Sequence, residues 1–213
     1  MNILKPTILI SITAFLCSFL ASCKQDEDDI NTQTSITYTI TMSPDLLKCV
    51  TPQVIYVDEN GNLVKITGVE ELDGKIIENS AEIEKGGGTI SSWTKQEITG
   101  TGYKCWTVQM KFNRLNFHTY MAVRYIKNDL HEDYGNKYFD FHHSINTSIN
   151  SITTSDWGTN AFSDTDISIT VGDFHVGDDI NTYINQLEEN PDRIGYYIDS
   201  KGKVERKDDS IIQ

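Results

Sequence analysis

The side chains of this chain that could do chemistry are its five histidines and a surplus of carboxylates, and their spacing decides what they can do. His142 and His143 are adjacent, and on a strand neighbouring side chains leave on opposite faces, so the pair cannot chelate one ion together. Asp140 with His142, and Asp173 with His175, share a face at two-residue spacing. Two ligands do not make a site, and no third is placed by spacing. His131-Glu132-Asp133 reads as a turn. Asp164, Asp166, Asp173, Asp178 and Asp179 gather around a short strand. They have the ligand type for calcium but lack the fixed glycine and closing glutamate of an EF-hand. Solvation, and negative charge at a helix start for Asp178 and Asp179, account for them better. No metal or other cofactor is expected.

Enzymatic motifs are not found. The chain has no Gly-x-Ser-x-Gly elbow and no His-Glu-x-x-His helix, and Gly86-Gly87-Gly88 lacks the Lys-Ser/Thr of a phosphate-cradling loop. A carboxylate pair for glycoside hydrolysis needs a spatial separation that sequence does not display. The expectation is therefore a protein that is not an enzyme, with a carboxylate-dependent hydrolase as the far alternative. Recognition residues are easier to nominate. The polar stretch from Ser151 to Asp166 carries Trp157 and Phe162 among Ser, Thr, Asp, Asn and Gly. An aromatic platform beside hydrogen-bonding groups suits sugars and peptides, so these two are the candidate ligand-binding residues. The competing role is to plug one end of the fold. Trp93 and Trp106 sit in strand patterns and are expected in the core.

The N-terminus carries an address. Lys5 precedes an apolar run from Ile8 to Leu20 that is too short for a spanning helix and suited to a signal peptide. Leu20-Ala21-Ser22-Cys23, which closes it, resembles the lipobox of bacterial lipoproteins. The resemblance implies cleavage after residue 22, lipidation of Cys23 and attachment to a membrane. Each buried methylene contributes on the order of 0.8 kcal/mol, so a multiply acylated cysteine anchors stably. Lys24-Gln25-Asp26-Glu27-Asp28-Asp29 follows, a run of like charge that cannot pack and reads as a solvated tether. It resembles the surface-export signal of Bacteroidetes lipoproteins, which implies an outer-membrane protein facing the exterior. Asp209-Ser210-Ile211 resembles the O-glycosylation motif of exported proteins of that group, with Ser210 as acceptor.

Charge narrows the partners. The chain has 18 basic and 31 acidic side chains, and removal of residues 1–22 takes away only Lys5 among them. Nucleic acid is excluded as a partner by this balance and by the lack of a basic stripe. Cys17 leaves with the signal and Cys23 is taken by lipid, which leaves Cys49 and Cys105. In an oxidising compartment they are the candidate disulfide, closing a loop whose entropy would contribute about 4 kcal/mol.

The elements that must position these residues are mostly short strands. Thr34–Thr41 alternates Ile36, Tyr38 and Ile40 with threonine. Val54–Val57 and Leu63–Ile66 flank Asp58-Glu59-Asn60-Gly61-Asn62, a hairpin signal because Asn-Gly tolerates positive φ. Thr89–Ile98, Tyr103–Phe112, Phe117–Ile126, Tyr138–Ile149 and a short Asp166–Val171 continue the pattern. In Tyr103–Phe112, Trp106, Val108, Met110 and Phe112 share one face, opposite Cys105, Thr107, Gln109 and Lys111. Ile180, Tyr183, Ile184 and Leu187 fall at helical spacing before Asn190-Pro191, and Arg193–Ile198 with Lys203–Arg206 flank a second hairpin signal at Asp199-Ser200-Lys201-Gly202.

The fold class expected is mainly β: an immunoglobulin-like antiparallel β-sandwich with a C-terminal amphipathic helix and β-hairpin. Its organisation is a signal peptide over 1–22, a lipidated acidic tether over 23–33, the sandwich over 34–172, and a helix and hairpin appendage over 173–213. With Asp45-Leu46-Leu47 and the stretch from Val54 to Gly61, the whole resembles the small surface lipoproteins of gut Bacteroidetes. The function implied is display: a membrane-anchored domain binding a glycan, host protein or envelope partner. The alternative is a structural subunit that assembles by strand addition.

Overall fold

The computed structural model describes residues 30–75, 92–98, 100–129, 138–155, 158–175 and 178–208. Two antiparallel five-stranded sheets face each other across one core. The first sheet is built from β1 (Asn31–Met42), β4 (Ser92–Ile98), β5 (Tyr103–Phe112), β7 (Tyr138–Ser155) and β8 (Gly158–His175), in the order β4-β5-β1-β7-β8. The second contains β2 (Val50–Val57), β3 (Leu63–Thr67), β6 (Phe117–Lys127), β9 (Asp192–Ile198) and β10 (Val204–Arg206), in the order β10-β9-β6-β2-β3.

Alternation sets which side of each strand is buried. Ile36, Tyr38, Ile40 and Met42 of β1, and Trp106, Val108, Met110 and Phe112 of β5, face inward from the first sheet. Val54 and Tyr56 of β2 and Met121, Val123 and Tyr125 of β6 answer them from the second. The sheets are also tied by polar groups. Tyr38 Oη lies 3.0 Å from Thr119 Oγ1, and Trp93 Nε1 donates to Tyr56 Oη at 3.3 Å. Tyr196 Oη donates to Asp164 Oδ2 at 3.2 Å.

Among the described residues, three helices close the gaps. In α1 (Pro44–Cys49), Ser43 caps the start: its Oγ accepts from Leu46 N at 3.4 Å, and Pro44 takes the first position where no N–H is needed. The same hydroxyl donates to Asp140 O at 2.6 Å and accepts from His142 N at 3.0 Å, which fastens α1 to β7. In α2 (Val69–Asp73), Leu72 is buried and Asp73 accepts from Trp106 Nε1 at 2.7 Å. The third, α3 (Asp178–Glu189), packs on β6 and β8 and buries Ile184 and Leu187.

Several expectations change. The strand and helix after residue 173 are not an appendage, because β9 pairs with β6 and β10 inside the second sheet. The sandwich starts at Asn31 rather than residue 34, and Thr32 Oγ1 lies 3.0 Å from Thr153 Oγ1 in the buried face. Within the sandwich, β1 occupies the centre of its sheet, whereas the first strand of an immunoglobulin domain lies at an edge. The proposed bridge between Cys49 and Cys105 does not form, and both are free buried thiols. Cys49 belongs to the core, while Cys105 leaves β5 on the face opposite Trp106 and lies 3.2 Å from Thr41 Oγ1. A sheet stands between them.

Candidate binding groove

Chemistry-bearing side chains converge most densely where β6, β7, β9 and α3 meet. His143 is fully buried, and its Nδ1 lies 2.5 Å from Asp192 Oδ2. Tyr125 Oη donates to the same oxygen at 2.7 Å and lies 3.0 Å from His143 Nδ1. On the other side of the ring, Nε2 lies 3.1 Å from Tyr183 Oη. The ring is thus held at both nitrogens, by residues of three other elements. Burial pushes the Tyr125 phenol well above its ordinary range, with the Asp192 charge adding to it. Burial likewise raises Tyr183 to about 12, again with Asp192 contributing. Neither tyrosine is a nucleophile near neutral pH. A His–Asp pair of this kind could serve a general base, but a histidine with no exposed surface cannot meet a substrate. What the network does is tie the two sheets and α3 together.

The surface directly outside it is open. Tyr125 points inward to His143, so its neighbours Arg124 and Ile126 leave on the outer face of the second sheet, and Arg193 does the same beside inward-pointing Asp192. A groove of about 360 Å³ runs over this face. Its floor is Gln53, Arg124 and Ile126, with Tyr125 beneath, and its wall is Glu188 and Glu189 at the end of α3, then Pro191 and Arg193. Gln53 is cross-strand to Arg124 and donates from Nε2 to Thr67 Oγ1 at 3.2 Å, which leaves its carbonyl oxygen as an acceptor. The walls are therefore cationic and anionic at once, on a rigid base. Volumes from about 300 Å³ upward are those of small-molecule sites.

Comparison with protein-family models, curated proteins and solved structures finds no match to this chain. The groove must be read on its own chemistry.

The residues singled out from sequence lie elsewhere. Cys23, Trp157 and Ser210 fall outside the described residues, as does His131-Glu132-Asp133. Phe162 lies in β8 opposite Ser151, half-buried and packed against the core. The stretch from Ser151 to Asp166, read as a polar recognition segment, is largely the continuous β7–β8 hairpin. Asp140 and His142 share the outer face of the first sheet as expected, and both are engaged with Tyr103: its Oη donates to Asp140 Oδ2, and its ring stacks on His142 at 5.0 Å. Among the described residues, no three His, Cys, Asp or Glu side chains converge on a metal-sized point. Among them, too, no helix is long and apolar enough to cross a membrane.

The groove residues were missed for a physical reason. Gln53, Arg124 and Arg193 each stand alone in a strand pattern, where an isolated polar residue on an outer face is ordinary. Their meeting depends on β2, β6 and β9 being neighbours, a long-range fact. The one local signal was Glu188-Glu189 before Asn190-Pro191, which marks charge at a helix end.

Proposed function

We propose that this protein is a non-enzymatic, lipid-anchored surface protein of the bacterial outer membrane, whose sandwich presents the groove over β6 and β9 to a polar ligand such as a glycan. The observation that carries the reading is the contrast between the two polar sites: the catalytic-looking pair is sealed, and the open site holds hydrogen-bonding groups whose only carboxylates, among the described lining residues, are the helix neighbours Glu188 and Glu189. Glu188 and Glu189 come from consecutive helix positions, about 100° apart around the axis, rather than from opposing walls, which argues against a hydrolase pair. Anchoring at Cys23 and spacing by the acidic run through Asp29 supply display.

Two measurements test this. Cys23→Ala should release the protein from membranes, and continued attachment would overturn the anchor. A glycan array probed with the full chain in detergent should give binding that Arg124→Glu abolishes; binding that survives would move recognition away from the groove.

A second reading has its own support. β8 is an 18-residue edge strand without proline, lysine or arginine, its charged side chains being Asp164, Asp166 and Asp173 with one histidine, His175. Strand addition by a partner subunit would use it. Backbone amides of β8 that exchange slowly only in envelope-extracted protein would favour this assembly role.

A further inference from the structure

The chain has four arginines, and the way they are used divides them in two. Arg114 donates to the carbonyl of Asn60 and lies over the Phe117 ring at 5.7 Å. Arg206 pairs with Asp208 at 2.7 Å. Arg124 and Arg193 form no hydrogen bond or ion pair with any described residue, and they are the two that line the groove. In a chain where 31 acidic side chains face 18 basic ones, arginines without a carboxylate partner are conspicuous.

Their spacing is set by register. Arg193 pairs with Ala122, so Arg124 is its diagonal neighbour on the adjacent strand. Diagonal neighbours lie about 7–8 Å apart, close enough for two long side chains to close on one group. Guanidinium groups match a carboxylate in plane and offer paired N–H donors to it. Around this pair the groove supplies the opposite kind of group. Glu188 and Glu189 accept from hydroxyls, as does the free carbonyl oxygen of Gln53, while Pro191 and Ile126 give a small apolar surface. Ile126 is 39 % exposed, which leaves it free to meet a C–H face.

We infer that the groove binds a carboxylated sugar, a hexuronic acid unit, with Arg124 and Arg193 on the carboxylate and Glu188, Glu189 and Gln53 on the ring hydroxyls. The inference rests on the proposed ligand-binding role and names its ligand class. A neutral sugar would leave both arginines unsatisfied, and a simple carboxylate would leave the acceptors unused.

The test is calorimetric titration of the full chain in detergent with glucuronic acid, glucose and acetate. Glucuronic acid should bind at least tenfold more tightly than either of the others. Arg124→Gln and Arg193→Gln should each weaken it at least tenfold with the thermal midpoint unchanged, since neither side chain has a protein partner to lose. Acetate binding as tightly as glucuronic acid would reduce the site to an anion site and overturn the inference. Glucose binding equally well, no binding of glucuronic acid, or binding indifferent to both variants would overturn it too. Array binding to neutral glycans would leave the display role standing while the uronate assignment fell, so the two failures are distinct.

Discussion

The carboxylates of Asp58 and Asp199 occupy equivalent places in two hairpin loops. Asp58 Oδ1 accepts from the backbone N–H of Asn60 at 2.9 Å and of Asn62 at 2.7 Å. Asp199 Oδ1 accepts from Lys201 N at 2.8 Å and Lys203 N at 2.9 Å. Each loop then places glycine three residues on with positive φ, Gly61 at 85° and Gly202 at 77°. The two hairpins thus use one Asp-x-x-Gly-x design to finish the two edges of the second sheet. Asp58→Ala and Asp199→Ala should each lower stability by about 1 kcal/mol in denaturant melts, and Asn should recover part of it. The glycines should differ more. A Cβ on Gly202 would clash with the Thr153 side chain, whereas one on Gly61 would meet the flexible end of Arg114 at 3.1 Å and the Phe117 ring at an ordinary 3.5 Å. Gly202→Ala should cost about 3 kcal/mol and Gly61→Ala about 1 kcal/mol, the latter from backbone strain alone.

The His143 network should show a graded response in the same melts. Tyr125→Phe removes one of the two donors to Asp192 Oδ2 and should cost about 1–2 kcal/mol. His143→Ala strips the carboxylate of its ring partner and removes the ring nitrogen beside Tyr183 Oη, so a loss of about 3–5 kcal/mol is expected. Equal effects of the two would mean that the network does not act through Asp192.

Stability should fall on mild acidification. Burial pushes the His118 imidazole below its ordinary range against the opposing pull of the Lys207 carbonyl, and burial with the neighbouring His143 does the same to His142. Both rings bind protons more readily in the unfolded chain, so stability rises with pH in the window between folded and unfolded values. Loss should begin as pH drops through about 6.5 and end below the folded values. Urea midpoints measured at pH 7.5 and pH 5.5 should show this drop, and the double variant His118→Gln, His142→Gln should reduce it.

Both core-domain thiols should resist modification in the native state. Burial raises Cys49 to about 11, with Asp45 adding to the effect, which leaves little thiolate. Alkylation of Cys49 and Cys105 should appear only after unfolding, and reducing agent should leave the melting temperature unchanged. A lower midpoint on reduction would reveal a bridge.

Alternation made β5 readable residue by residue, with Trp106, Val108, Met110 and Phe112 inward. It carried β7 as far as Ile149 and failed beyond it, over residues 150–155 and 158–165, because hydroxyls replace apolar side chains there. Thr34 Oγ1 lies 2.8 Å from Ser151 Oγ, and Thr32 meets Thr153 in the same buried row. A strand that buries threonine and serine by pairing them looks polar on both faces in sequence. Helix α1 was legible in principle, since Ser43-Pro44-Asp45 is a start signal, but six residues are too few for periodicity to register. The cysteine pairing failed on geometry, as chain distance does not say which face of a sheet a side chain takes. The groove needed strand order, and strand order is the least local property of a sandwich.

That order also decides where mechanical load enters. Residues N-terminal to Asn31 lead straight into β1, and β1 is clamped along its length by β5 on one side and β7 on the other. Tension drawn from the N-terminal side therefore acts along the ladders and must shear both at once, instead of unzipping an edge pair by pair. Forced unfolding is governed by the rate of crossing the unfolding barrier. A domain pulled through its central strand resists unfolding more than one pulled through an edge strand, whatever its equilibrium stability.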